Sequence, residues 1–353
     1  MDGGRDLFLI AFTTHTIWGT YAVCGRYLTD PGGGGMDFNV TLALAKASSI
    51  ILLSTFETIN HKVYRGWMKE ERMELEMTGL SSADSLSSKN KDFGVRWGWG
   101  WTKWRCAIIF STMATMRAWL NILSCSMTQA YNVAIVNSLT PLVAPFVQNI
   151  VLKTPIPEGL LLSVFVTTVG CVLVGVGQSP YVLGVAARLT YRDGVGCLLQ
   201  FISVIFSNLA RTAMMTSEGV LSKEELVQSQ NISSVTFCVI VALTVGGTDV
   251  WAGSLDALTK NARAFATFIF LSAGIFTFAA TLQVEAVRRL GVSVYGSYSG
   301  WRVLVCVLGS YVWLGEAVAS WVEWVGIVVV VGVLTIYLRN IAKEKGEAGM
   351  GGA

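Results

Sequence analysis

The chain has 353 residues, of which 53% are hydrophobic and only 14% are charged, and its formal net charge is +3. A soluble globular chain carries about 25% charged residues, so this one lacks the polar surface of a water-soluble fold, and its aromatic content excludes intrinsic disorder. The small net charge does not indicate a nucleic-acid partner. These numbers predict an integral membrane protein with several spans.

Ten stretches are apolar enough to cross a bilayer as helices, each of which needs about 20 residues. They cover 7–28, 37–57, 105–126, 128–152, 159–177, 193–216, 225–246, 264–288, 290–314 and 318–338 and are called spans 1 to 10. Span 7 is the weakest, because its first half is polar. No stretch has the alternating pattern of a membrane β-strand. We therefore predict an all-α integral membrane protein with ten transmembrane helices.

A long polar segment, 58–104, separates spans 2 and 3. Its charged piece at 69–76 predicts a short surface helix, and a Ser-rich piece at 81–88 predicts a mobile region. Tryptophans and basic residues alternate from Arg96 to Arg105. Such a run can stack on nucleic acid, but its position next to a span favours an aromatic belt at the membrane interface.

Positive residues are unevenly divided between the two faces that ten spans define. Most Lys and Arg lie on the side of the N-terminus, in the 58–104 segment and after span 10. Positive residues concentrate on the cytosolic side of membrane proteins. We therefore predict that both termini are cytosolic, in a membrane whose identity the sequence leaves open.

The chain contains an internal repeat. An offset of 162 residues aligns spans 3, 4 and 5 with spans 8, 9 and 10 without a gap, and pairs Thr115 with Thr277, Asn121 with Gln283, and the small residues Ala134 and Ser138 with Gly296 and Gly300. Small residues at this spacing allow close helix packing. Because five spans is an odd number, the second copy is inverted, as in secondary transporters. The predicted halves are 1–177, with the 58–104 insert, and 178–353.

Several short motifs carry a resemblance to a known family. Trp18-Gly19 lies in span 1, Arg26 follows eight residues after Trp18, and Leu314-Gly315-Glu316 closes span 9. With the duplicated ten-span pattern, these residues resemble the EamA-like branch of the drug/metabolite transporter superfamily over 7–57 and 105–338. The first half departs from the pattern, because Leu152-Lys153-Thr154 stands where an ending like Leu-Gly-Glu is expected. Span 9 has Gly300-Trp301-Arg302 where many relatives carry a proline, whereas span 4 keeps Pro141.

The resemblance implies a secondary transporter that works by alternating access and needs no bound cofactor. Members of the superfamily carry amino acids, nucleotide sugars, organic acids, phosphorylated sugars, purines or drugs. The expected partners are therefore a small polar metabolite and the lipid bilayer, with the chain acting as a monomer or a homodimer. The coupling ion and the direction of transport stay open.

Three cations lie deep within spans: Lys46 in span 2, Arg117 in span 3 and Arg302 in span 9. A charge at this depth costs at least about 2.5–3.5 kcal/mol and usually faces a polar interior. No carboxylate shares their layer, so the excess positive charge predicts a site for a carboxylate or phosphate group. The alternative, open above all for Lys46, is that the cations contact backbone carbonyls or reach the interface. Arg211, near the cytosolic end of span 6, is predicted to be interfacial.

Neutral polar residues within the spans complete the candidate substrate-binding site. They are Asn121, Asn132, Asn137, Gln283 and Tyr298, with His15, Tyr131 and Ser299 as further candidates. The alternative for each is a helix–helix hydrogen bond, worth about 0.6 kcal/mol. His15 has a side chain suited to proton transfer, but a lone histidine on an apolar helix is more often a packing residue.

Other classes of function fit the sequence less well. His15 is the only histidine within a span, so an intramembrane enzyme with a base and nucleophile is not predicted. The sequence has no GxxxxGK[ST] motif, which argues against ATP-driven transport by this chain alone, and nothing resembles a channel filter. The alternative that stays open is a transport-inactive scaffold or receptor that uses the 58–104 loop.

Overall fold

The computed structural model describes residues 3–77, 101–156, 160–177, 190–316, 318 and 320–350, and every regular element in these ranges is helical. The first half contains α1 (Gly3–Gly19), α2 (Tyr21–Thr29), α3 (Phe38–Met77), α4 (Trp101–Met127), α5 (Ala130–Ser138), α6 (Thr140–Leu152) and α7 (Leu160–Gly177). The second contains α8 (Tyr191–Thr216), α9 (Lys223–Val245), α10 (Gly247–Lys260), α11 (Ala262–Ile269), α12 (Ala280–Ser297), α13 (Ser299–Gly309) and α14 (Trp321–Met350). A π-helical stretch, Phe270–Ala279, joins α11 to α12, and a shorter one, Ser310–Leu314, ends α13.

The chain is an α-helical membrane protein by the length and composition of its helices. Among the described residues, five helices are long and apolar enough to cross a bilayer: Phe38–Ile59, Trp101–Met127, Tyr191–Thr216, Lys223–Val245 and Ala262–Leu290. A sixth span results if α5 and α6, which meet at 44°, are counted as one. Shorter apolar helices cover Leu161–Val174, Gly300–Leu314 and Trp321–Val333.

The polar segments differ from the sequence prediction at two places, in the charged piece at 69–76 and after α9. α3 continues through the charged piece at 69–76, so that piece extends a membrane helix instead of forming a separate one. Residues 78–100, with the Ser-rich piece and the start of the tryptophan run, lie outside the described residues, whereas Trp101 and Trp104 are exposed. An additional short helix, α10, follows α9, and its Ser254 hydroxyl accepts a hydrogen bond from the backbone of Asp37 before α3.

Several apolar stretches are broken helices. Span 1 divides at Thr20, and span 4 divides at Leu139, where Pro141 at the start of α6 lacks an N–H donor. In the second half, α12 runs across the predicted boundary between spans 8 and 9 and ends before Tyr298. Arginine is a good helix former, so the polar pair Arg288-Arg289 does not interrupt the helix.

The core has three hydrophobic clusters. The first and largest takes its side chains mainly from α1 to α4, α8, α9, α11, α12 and the π-helical stretch. The second joins α5, α6 and α7 to α13 and α14. The third is the smallest and joins α2 and α4 to α5 and α13. Within the second cluster α7 and α14 approach closely, since a Cβ atom added at Gly326 would lie 2.6 Å from the carbonyl oxygen of Gly170.

Candidate functional site

A small cavity, here called the central cavity, lies at the seam between the first and second clusters. Helices α5 and α13 of the second cluster face α1, α2, α4, α8 and the π-helical stretch across it. Its lining residues are Trp18, Tyr21, Arg117, Ala118, Asn121, Asn137, Ser207, Phe276 and Arg302. The volume is about 20 Å³, which is room for about one water molecule. In this conformation the helices are therefore closed around the cavity, and a metabolite requires them to separate.

Arg117, on α4, contributes an uncompensated positive charge to this cavity. Its guanidinium carbon lies 5.1 Å from the centre of the Trp18 ring, a contact worth about 0.5–2 kcal/mol. Among the described residues, no side chain or carbonyl accepts a hydrogen bond from this guanidinium, and no carboxylate pairs with it. Its planar set of donors is therefore free to bind a carboxylate or phosphate group.

Arg302, on α13, is held in place by two aromatic residues. Its Nε donates to Nδ1 of His15 at 2.6 Å, and its Nη2 donates to the Tyr295 hydroxyl at 3.2 Å. Since arginine only donates, Nδ1 of His15 must accept, and Nε2 is then the nitrogen that donates to the Tyr295 carbonyl at 2.8 Å. His15 is thus a neutral residue that orients Arg302, an arrangement that favours the packing interpretation over a proton relay.

A second cavity adjoins the central cavity at Arg117. Its volume is about 10 Å³, and its polar lining consists of Arg117, Arg211, Gln230 and Gln283. The prediction that Arg211 is interfacial is wrong, because this side chain is only 2% exposed and lies 5.3 Å above the Tyr295 ring. Its helix, α8, packs on α4 and α12, so the guanidinium points into the protein.

Lys46, on α3, lies behind the wall of the central cavity. Its ammonium is fully buried, donates to Oδ1 of Asn231 at 3.0 Å and lies 4.0 Å from the centre of the Phe276 ring. Phe276 itself lines the central cavity. Lys46 borders neither cavity in this conformation, but its charge acts on Arg117.

These four cations, Lys46, Arg117, Arg211 and Arg302, form one group whose positive charges act on one another. Within the described ranges, none of them forms an ion pair with a carboxylate. Glu285 pairs with Lys223 and Arg289 instead. A buried charge without a partner costs several kcal/mol, and an anion in the cavities would offset part of this cost.

The remaining predicted residues divide into two sets. Asn121 and Asn137 line the central cavity, and Gln283 lines the second. Asn132 instead donates to the Thr128 hydroxyl at 3.2 Å, and Tyr298 packs against His15, with 6.0 Å between ring centres. Tyr131 contacts Glu323 at 3.3 Å, and the side chain of Ser299 is outside the described residues. The structure therefore gathers Asn121 of α4 and Asn137 of α5 around the arginines and leaves Asn132 and Tyr298 beside them.

Several lining residues were not predicted as part of the site. They are Trp18, Tyr21, Ser207, Gln230 and Phe276. Trp18 belongs to the motif that carries the family resemblance, which was the one available signal. The others are ordinary residues of apolar helices, and only the packing of the helices shows which side they face.

Arg26 and Glu316 connect four helix ends away from the cavities. Nε of Arg26 lies 3.5 Å from Oε1 of Glu316, whose other oxygen accepts a hydrogen bond from the Ala130 N–H at 3.0 Å. Nη1 of Arg26 also donates to the Ser126 carbonyl at 3.2 Å. Burial raises the pKa of the Glu316 carboxyl above its ordinary value, and the Ala130 N–H and Arg26 oppose this shift.

Metal binding has no support in the part of the chain that the structure describes, where no group of three or more His, Cys, Asp or Glu side chains is arranged to hold an ion. The chemistry that the cavities offer is hydrogen bonding and positive charge.

Comparisons with known proteins bear on the fold alone. No protein-family model matches the chain, and no curated protein matches it in sequence. A solved structure described as "Crystal structure of protein" has a similar fold, with a TM-score of 0.57 over 96% of this chain and 99% of that chain. The two sequences are 14% identical, so this likeness extends to the architecture and not to a ligand or an activity.

Proposed function

We propose that the chain is a secondary transporter that carries a small anionic metabolite by alternating access. The observation that carries this proposal is Arg117, which lines a cavity beside Arg302 and whose guanidinium has no acceptor or carboxylate among the described residues. A chain that only needed a stable membrane fold would gain from an apolar residue at this position, because a buried unpaired charge is costly. An anionic cargo accounts for the charge.

The proposed architecture is ten spans in two inverted halves, and the helix contacts support it. Span 2 corresponds to span 7 and span 3 to span 8, so a contact between spans 3 and 7 should have a counterpart between spans 8 and 2. α4 does pack on α9, and the π-helical stretch packs on α3. Thr115 of span 3 is hydrogen-bonded to Ser234 at 3.0 Å, and Thr277 of span 8 donates to Ser49 at 2.8 Å.

The position of the central cavity supports alternating access. Substrate sites of such transporters lie between two helix bundles, near breaks in the membrane helices. The cavity lies between the first and second hydrophobic clusters, and Asn137 and Arg302 line it within four residues of the breaks at Leu139 and Tyr298. Rocking of one cluster against the other would open the cavity to one face and then to the other.

Membership of the EamA-like branch is part of the proposal. Two residues that carry the resemblance, Arg26 and Glu316, form an ion pair in the structure, so the motifs of spans 1 and 9 meet in space. We place both termini in the cytosol on the charge distribution. The competing hypothesis, a scaffold that uses the 58–104 loop, predicts no substrate flux.

Uptake into proteoliposomes tests the proposal. We expect saturable uptake of at least one anion from a panel of organic acids, amino acids and phosphorylated sugars. Arg117→Gln and Arg302→Gln should each lower it by at least about tenfold, which corresponds to one lost charge-assisted interaction. Arg289→Gln, at an exposed arginine, is the matched control. Unchanged uptake in both cavity variants, or no uptake of any anion, would overturn the proposal.

A further inference from the structure

The second cavity has the composition of an anion site in its own right. Arg117 lines both cavities, so the two cavities adjoin at this residue. Arg211 and Gln283 face the second cavity and are only 2% and 3% exposed. Nε and Nη1 of Arg211 and Nε2 of Gln283 are buried and have no hydrogen-bond partner in the structure.

Unsatisfied groups of this kind are rare and costly in folded proteins. All three nitrogens are donors, and they belong to side chains that line a cavity whose charged residues are both arginines. The central cavity repeats the pattern, since Nε1 of Trp18 is a buried donor without a partner there. Each cavity therefore combines two arginines with at least one unused neutral donor.

We propose that the two cavities together form one two-lobed site for a small dianion with two separate anionic groups, such as a dicarboxylate or a phosphorylated acid. One group binds between Arg117 and Arg302 in the central cavity. The other binds Arg211 and Gln283 in the second cavity, and Arg117 lies between the two groups. This inference rests on the proposed function, since it assumes that the central cavity binds an anion.

Charge balance favours two anionic groups over one. A monoanion in the central cavity would leave Arg211 without a counter-charge and the donors of the second cavity unpaired. Arg211 lies 2% exposed among packed helices, so bulk solvent does not screen its charge. A second anionic group at the other end of the same ligand would satisfy both.

Matched ligand pairs test the two-lobed site. Inhibition of uptake, or the shift in melting temperature of the purified protein, is measured for succinate against butyrate, glutarate against pentanoate, and phosphoenolpyruvate against pyruvate. In at least one pair, we expect the member with two anionic groups to bind at least about tenfold more tightly than the member with one. In the Arg211→Gln variant, the ratio of the two affinities within that pair should fall to near one. Gln283→Met, which removes only a neutral donor, should lower the ratio in the same direction.

Arg192→Gln, at an exposed arginine on the same helix, is the control and should keep the ratio of the wild type. Equal affinities within all three pairs, or an unchanged ratio in both cavity variants, would overturn the dianion site while leaving anion transport intact. Equal weakening of both members of a pair by Arg211→Gln would overturn it as well. If no probe binds the wild-type protein, the proposed function fails together with this inference.

Discussion

At the scale of single residues, the site is set by how each buried cation is held. Arg302 is fixed by His15 and Tyr295, whereas Arg117 has only the face of Trp18. The sequence located Arg117 and Arg302 within apolar spans, because charges stand out in hydrophobic helices. It did not show that His15 is the acceptor for Arg302, since these two residues are 287 positions apart.

His15 should act as a positioning residue. Its replacement by Leu leaves Nε of Arg302 without its acceptor and removes the side-chain donor to the Tyr295 carbonyl, which should lower stability by about 1–3 kcal/mol. We expect His15→Leu to raise KM for the transported anion more than it lowers kcat, because Arg302 is misoriented. His15→Asn, which keeps an acceptor near Nδ1, should restore much of the KM. Equal kinetics for the Leu and Asn variants would contradict this role.

Glu316 should make stability depend on pH. Burial raises its pKa in the folded protein, so the protonated form is favoured on folding. Its contribution to stability is then full below the ordinary carboxyl pKa of about 4.3 and declines as the pH rises through the folded-state value. We expect the stability of wild type relative to Glu316→Gln to fall as the pH rises above the ordinary carboxyl pKa of about 4.3. Thermal unfolding of both proteins in detergent, as a function of pH, measures this difference in stability. A difference that rises with pH would contradict the prediction.

At the scale of helices, the sequence predicted where helices lie along the chain better than where they are broken. All ten apolar stretches are helical in the described residues, because backbone groups in lipid must be satisfied within a helix. The breaks at Thr20 and Tyr298 and the π-helical stretch were not predicted. Helix breaks in membranes are stabilised by neighbouring helices, so they depend on packing that the local sequence does not contain. The same applies to Arg211, whose direction follows from the rotation of α8.

The contact between α7 and α14 should tolerate no side chain at Gly326. A Cβ atom there would lie 2.6 Å from the Gly170 oxygen and 2.8 Å from the Val174 nitrogen. Both are backbone atoms, so relief requires the helices to separate, and Gly326→Ala should cost about 1–3 kcal/mol. Gly332→Ala on the same helix meets no atom within 4 Å and should be neutral or stabilising. Thermal unfolding of the two variants compares them, and equal melting temperatures would count against this packing.

At the scale of the whole molecule, the predicted repeat and the hydrophobic clusters divide the chain in different ways. The prediction pairs 1–177 with 178–353, whereas the first and second clusters each take helices from both of these ranges. Helices from both ranges pack together because segments far apart in sequence are in contact. The positions of the apolar spans alone did not reveal these contacts. The cavities form where the clusters meet, so the site is a product of the assembly and not of one motif.

The two-half architecture predicts that both ends of the chain are on one face of the membrane. Epitope tags at the N-terminus and the C-terminus should show the same accessibility to protease in sealed vesicles, with the cytosolic face exposed. A tag inserted after Gly246, between α9 and α10, should be protected when the terminal tags are accessible. Terminal tags on opposite faces would rule out two five-span halves.

The central hypothesis is that the chain is a carrier and that its anion site includes Arg117. Counterflow in proteoliposomes, in which unlabelled anion on the inside drives accumulation of labelled anion, distinguishes a carrier from a channel or a scaffold. With the best anion from the uptake panel, we predict transient accumulation above equilibrium for the wild type and for Arg289→Gln, and none for Arg117→Gln. Equal counterflow in the wild type and Arg117→Gln, or no counterflow in any of the three, would contradict it.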